Sequence, residues 1–196
     1  LEKKYSSNML LIYNKIKIST LTTHNPIAKI SKILKQKDFI YNRIISLNDT
    51  LKNDFNIKEP KLIISGLNPH AGEQGEIGQE ELYLKKTFKK ILRKGVKLFG
   101  PYSADTLLIR KDIKSYDCVI FMYHDQALIP FKYISKYRGV NYTGNLDVIR
   151  VSPDHGTAYD LVGTKNYSDL SIKNCFKTIL KINNIRSINA KSKKVS

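Results

Sequence analysis

Tryptophan is absent from the 196 residues, and only two cysteines, six prolines and four histidines occur. Cys118 and Cys175 are too few for a disulfide framework and share no metal-ligand spacing, so both read as buried or incidental thiols. No run of residues approaches the apolar length of a membrane span, and the opening "LEKKYSSNMLL" lacks the small-residue cleavage site of a signal peptide. A soluble, cytoplasmic protein without a membrane partner is the default expectation. Acid is scarce as well: 17 Asp and Glu face 34 Lys and Arg, a formal net charge of +17. That is the footprint of a nucleic-acid binder, but the cations are mostly lysines scattered over apparent helix faces, and no zinc-finger, RNP or helix-turn-helix signature accompanies them. The reading is a solvated surface and no nucleic-acid partner, with a field that still favours an anionic small substrate.

What is present is an alternation of apolar segments. "NKIKISTLTTHNP" reads as a strand ending at a proline, and residues 27–55 as a helix. "KLIISGL" reads as a second strand, leading into the Gly-rich run "NPHAGEQGEIGQEEL" and a helix that closes at Gly95. "VKLFGPYSADTLLI" and "DCVIFMYHDQALIPF" are further strand and loop units, and "SDLSIKNCFKTILKINNI" is a closing helix. Strands separated by helices predict an α/β sheet. At 41% hydrophobic residues, the chain can bury a core as one domain, or as one lobe and part of another.

Each of the four histidines sits at a strand mouth or in a turn: His24 in "TLTTHNP", His70 in "GLNPHAGE", His124 in "MYHDQ" and His155 in "SPDHGTAYD". A structural role is the commoner reading for any one of them. Together, after apolar runs where α/β proteins bind ligands, they suit a divalent metal with an open coordination position. Spacing alone does not establish such a site, because neither HExxH nor HxxxH occurs.

Four motifs in order, "GLNPHAGEQGEIGQEE", "GPYSADTL", "YHDQALIPFK" and "DHGTAYDLVG", resemble the 4-phosphohydroxythreonine dehydrogenase family of pyridoxal 5'-phosphate biosynthesis, and the likeness runs from about residue 17 to residue 180. The resemblance implies an NAD-dependent, metal-assisted oxidation of 4-phosphohydroxy-L-threonine to a β-keto acid that loses carbon dioxide to give 3-amino-2-oxopropyl phosphate. It implies a divalent metal (Zn, Mg or Co) on His24, His70 and His124, shared across a homodimer interface. Asp105 and Asp125 take the place of acidic neighbours of the metal, although a turn cap explains Asp105 equally well. Lys132, Asn141 and Arg150 match positions that hold the phosphorylated substrate; outside the motif, the two cations are ordinary surface residues. "DHGTAYDLVG" is similar to the adenosine-side loop of isocitrate and isopropylmalate dehydrogenases, which places His155, Gly156, Thr157, Ala158 and Asp160 at NAD, with Gly163 permitting close backbone approach. Asp160 would accept from a ribose hydroxyl, or cap a local turn. No GxGxxG follows a strand, so a Rossmann reading is excluded.

The implied fold is the two-lobed α/β isocitrate/isopropylmalate dehydrogenase type with its N-terminal third missing. Residues 1–130 form a central metal-binding and dimerisation lobe, and 131–196 the return segment of a nucleotide-binding lobe. The family usually reads close to "NVTLGLPFIR" where this chain has "NYTGNLDVIR", so Gly144, Asn145 and Asp147 depart from the pattern, and Asp147 adds a carboxylate near an anionic substrate. Two alternatives follow: a related dehydrogenase of 4-phospho-threonate or 4-phospho-erythronate, or an inactive fragment that keeps dimerisation and metal binding.

Overall fold

The computed structural model describes residues 7–154, 163–164 and 168–195; the expected nucleotide-loop residues His155, Gly156, Thr157, Ala158 and Asp160 lie outside them. In chain order the elements are β1 (Asn8–Tyr13), β2 (Ile16–Thr20), α1 (Ile27–Leu34), α2 (Lys37–Phe55), β3 (Lys61–Ser65), a 3-10 segment (Pro69–Gly75), α3 (Glu80–Leu92), β4 (Lys97–Tyr102), α4 (Ala104–Leu107), β5 (Cys118–Phe121), α5 (His124–Ser135), β6 (Val140–Gly144), β7 (Arg150–Pro153) and α6 (Leu170–Val195). The seven strands form one mixed sheet in the order β4-β3-β5-β2-β1-β6-β7. Strands β4, β3, β5 and β2 are parallel, while β1, β6 and β7 join by antiparallel pairing. An α/β fold is what the alternating pattern implied.

Side chains one residue apart along a strand face opposite ways, and the core divides accordingly. Leu10, Leu62, Ile64, Ile120 and Tyr142 pack on the face that meets α1, α2, α3 and α6. Leu11, Ile18, Ile63, Val119 and Phe121 pack on the other, against α4 and α5 through Leu107, Ala127 and Phe131. Both cysteines are free and buried, as their scarcity implied. Among the described residues, no helix is long and apolar enough to cross a membrane.

Three elements differ from the sequence reading. The single strand expected over "NKIKISTLTTHNP" starts inside a hairpin: β1 turns into β2 at Asn14, whose φ of 53° is a left-handed conformation that asparagine tolerates better than most residues. The helix expected over 27–55 is two, because Gln36 adopts an extended backbone (ψ 94°) between α1 and α2. The loop expected after "DCVIF" is helix α5, which starts at His124 and runs through Pro130.

Candidate functional site

Parallel strands deliver their C-terminal ends to one edge of the sheet, where α/β proteins bind ligands. His24 follows β2, His70 follows β3, Asp105 follows β4, and His124 with Asp125 follows β5. The β2 and β5 exits are clipped together beyond the strands: the Leu21 amide donates to Phe121 O (2.8 Å), and the Thr22 amide and hydroxyl both donate to Met122 O (3.1 and 2.8 Å). The clip brings the His24 and His124 rings to 5.8 Å between centroids. His124 Nδ1 lies 2.7 Å from Asp125 Oδ1. A carboxylate only accepts, so Nδ1 carries the hydrogen, and in the neutral ring Nε2 keeps the lone pair.

The Gly-rich run is built around a buried carboxylate. Glu81, 2% exposed, accepts from the amides of Leu67 (2.7 Å) and Asn68 (2.8 Å) and from Asn68 Nδ2 (3.0 Å). Glu80 accepts from Asn68 Nδ2 (2.8 Å) and from the Ser31 hydroxyl (2.5 Å), and the Ser31 bond above all holds its carboxyl below the usual range. A Cβ at Gly72 would run into the Glu81 carboxylate, and one at Gly78 into the Asn68 amide. Residues His70 to Gln74 all have positive φ, from 42° to 77°, a left-handed turn that L residues enter only when their surroundings hold them there. His70 is exposed on that turn. Gln126, which the sequence reading passed over, ties the turn to β5: it accepts from the Met122 amide (2.8 Å) and the Ser65 hydroxyl (3.2 Å) and donates to Gly66 O (3.0 Å).

Beside His24 opens a cleft of about 330 Å³ that Asn141 and Arg150 also line, together with Asn8, Arg43 and Thr143. Asn141 pairs with Ser152, and Thr143 with Arg150, across β6 and β7, and Arg150 donates to the Thr143 hydroxyl (2.8 Å). Arg43 reaches the cleft from α2 with one amine donating to Ser7 O. Its Nε, Asn8 Oδ1 and Asn141 Oδ1 are buried and have no hydrogen-bond partner among the described residues. Burial also pushes the Arg43 guanidinium below its ordinary pKa. Among the described residues the lining holds two guanidiniums and an imidazole but no carboxylate, so the cleft is suited to an anion. Arg43 was not anticipated from the sequence. Its signal was a cation inside the apolar stretch "FIYNRIIS", in a chain where cations are common.

Other expected residues lie elsewhere. Asp105 and Asp125 share a separate cleft of about 540 Å³, otherwise mainly apolar, with Leu108, Ile109, Ile129 and Tyr133. Asp105, in the first turn of α4, accepts through Oδ1 from the amide of the next residue, Thr106 (2.9 Å). Lys132 is exposed on α5. Asp147 lines a third cleft with Asp54 and Arg186, not the one beside His24, so its carboxylate does not enter the anion-binding lining. Among the described residues, no three His, Cys, Asp or Glu side chains gather as a metal-binding group. The donor set present in one chain is the His24 and His124 pair, which fits part of a divalent-metal site.

Residues 1–179 match the family model described as "Pyridoxal phosphate biosynthetic protein PdxA". The 4-hydroxythreonine-4-phosphate dehydrogenase of Bacteroides thetaiotaomicron is 39% identical over 158 residues, which cover 80% of this chain and 43% of that protein. The crystal structure of 4-hydroxythreonine-4-phosphate dehydrogenase from Klebsiella pneumoniae superposes with a TM-score of 0.77 at 32% identity, covering 90% of this chain and 53% of the other. A terephthalate 1,2-cis-dihydrodiol dehydrogenase from Burkholderia xenovorans LB400 superposes at 0.70 with 26% identity, covering 89% of this chain and 55% of the other. The chain spans about half the length of the curated relatives it matches.

Proposed function

For a chain that belongs to the pyridoxal phosphate biosynthetic protein PdxA family, we infer a part in NAD-dependent oxidation of 4-phosphohydroxy-L-threonine to a β-keto acid that decarboxylates to 3-amino-2-oxopropyl phosphate. The observation that carries this reading is the cleft lined by His24, Asn141, Arg43 and Arg150, with no acid among its described residues. Arg150 and Arg43 would divide the substrate's phosphate and carboxylate, and the unpartnered Asn141 oxygen would accept from an ammonium or hydroxyl. Lys132, exposed on α5, would add a point charge from outside the described lining.

His24 and His124, with His70 contributed across a homodimer, would hold a divalent metal. When bound, the metal would polarise the substrate hydroxyl, and NAD would take the hydride. Asp125 keeps the His124 Nε2 lone pair facing outward, a positioning role. Asp105 would serve as the nearby carboxylate that takes up a proton. The loop from His155 to Asp160 would meet the adenosine side of NAD, Asp160 favouring it over NADP. The fold would be the isocitrate dehydrogenase type, residues 1–130 carrying the metal and dimer face and 131–196 returning to the nucleotide lobe.

The test is an NAD-reduction assay on the enzyme carrying this chain at its relatives' full length. Arg150→Ala should raise the KM for 4-phosphohydroxy-L-threonine at least tenfold, since a lost charge-assisted contact costs about 1.5–3 kcal/mol, with Tm nearly unchanged because the side chain is exposed. An unchanged kcat/KM would remove Arg150 from the site. Faster turnover of 4-phospho-threonate or 4-phospho-erythronate would replace the substrate assignment.

A further inference from the structure

At the opposite edge of the sheet, where β2 and β5 begin rather than end, lies a fourth cleft, of about 440 Å³. Six cations line it: Lys15 and Lys17 from the hairpin, Lys114 ahead of β5, Arg138 ahead of β6, and Lys177 and Lys181 from α6. The one carboxylate among the described lining residues, Asp117, accepts from the Lys61 amide at 2.8 Å. Six cations to one acid exceeds the two-to-one ratio of the whole chain, so drift in composition does not account for the concentration.

The floor is Lys17, half-buried, with Nζ 5.5 Å from the centroid of the Phe55 ring. Arg138 lies over Tyr13 at 5.2 Å, and its backbone carbonyl accepts from Asn174 Nδ2 at 2.8 Å, which fixes β6's approach to α6. Among the described residues, none of the five lysines has a carboxylate within ion-pair distance. Burial above all presses the Lys17 ammonium toward the neutral form, the nearby Asp117 charge opposes that and Lys181 adds a smaller push in the same direction as burial, so an anion here would relieve a cost that Asp117 only partly offsets. The cleft is concave and of small-molecule size, and its six cations line this one pocket, which favours a compact ligand over a nucleic-acid backbone.

We propose that this cleft binds a small phosphorylated anion, with Lys17 as the anchoring cation and Lys181 and Arg138 on its walls, at a site separate from the cleft beside His24. The site rests on its own geometry and stands whether or not the dehydrogenase assignment does. Inorganic diphosphate is the probe, titrated into this chain by isothermal calorimetry at ~0.15 M salt, where loose surface attraction is screened. Saturable one-site binding is expected. Lys17→Met and the exposed Lys181→Ala should each weaken it about tenfold or more, while Arg150→Ala in the other cleft leaves it unchanged. The proposal is overturned if diphosphate fails to saturate or if both lysine variants bind like the unmodified chain. It is equally overturned if Arg150→Ala abolishes binding, or if a short DNA duplex binds with the same Lys17 dependence while diphosphate does not.

Discussion

Glu81 shows how little of the Gly-rich motif is chemistry and how much is construction. Its carboxylate satisfies two backbone amides and one side-chain amide, and the glycines at 72 and 78 leave room for that carboxylate and for Asn68. Removing it in Glu81→Ala strands donors that the loop cannot re-pair internally, at about 1–3 kcal/mol. Urea unfolding should show that loss, and divalent-metal affinity should fall with it because the turn bearing His70 is no longer held. Stability equal to that of the unmodified chain would show that water replaces the carboxylate freely. His70 itself was visible in the sequence as a chemically capable side chain. The five-residue left-handed turn that carries it was not, since Glu73 and Gln74 have no intrinsic preference for positive φ and are placed there by contacts from α3.

Between elements, the strongest polar tie joins α2, β6 and α6. Arg186 donates through Nε to Asp54 Oδ1 (2.7 Å) and through Nη2 to the Tyr142 hydroxyl (3.1 Å), and Tyr142 donates to Asp54 Oδ2 (2.5 Å). Asp54 is 3% exposed, so Arg186→Met leaves a buried carboxylate short of its cation and should cost about 3 kcal/mol. Burial first, then the bond to Asp54, raise the Tyr142 pKa well above its ordinary 10. A raised pKa means that the folded state favours the neutral phenol. Its contribution is therefore complete below pH 10 and lost as pH climbs toward the folded value. Stability should decline above pH 10, and Tyr142→Phe should flatten that decline at some cost near neutrality; an identical slope in the variant would remove Tyr142 from the account. The sequence held β3, α3 and β5 plainly, because their apolar periods are unbroken. It concealed the β1–β2 hairpin, whose turn "YNKI" lacks glycine, and it concealed β6 and β7, whose short runs "VNYTG" and "RVSP" mix polar and apolar residues. His24 and His124 were legible as candidates one by one. Their proximity was not, because it depends on parallel pairing between β2 and β5 about a hundred residues apart.

For the whole molecule, a charge of +17 sets a condition on self-association: two copies repel unless they meet where cations are few. The cleft between α4 and α5 meets that condition, since among the described residues its lining includes Asp105 and Asp125 and no Lys or Arg. Apolar side chains stand out around it, with Ile109 79%, Ile129 70% and Tyr133 82% exposed, a grouping that monomers ordinarily bury or use. If the proposed homodimer forms through this face, Ile129→Asp should shift sedimentation from dimer to monomer while the far-UV circular dichroism of the fold is kept, because within one chain the residue is exposed. Raising salt should tighten the unmodified dimer by screening the repulsion between copies, the opposite of what a charge-paired interface would show. Metal content ties the interface to the site: with His70 supplied by the second copy, Ile129→Asp should lose bound divalent metal together with the dimer, although every histidine is intact. A variant that becomes monomeric yet keeps its metal would place His24, His70 and His124 within one chain, and a variant that remains dimeric would move the interface to another face.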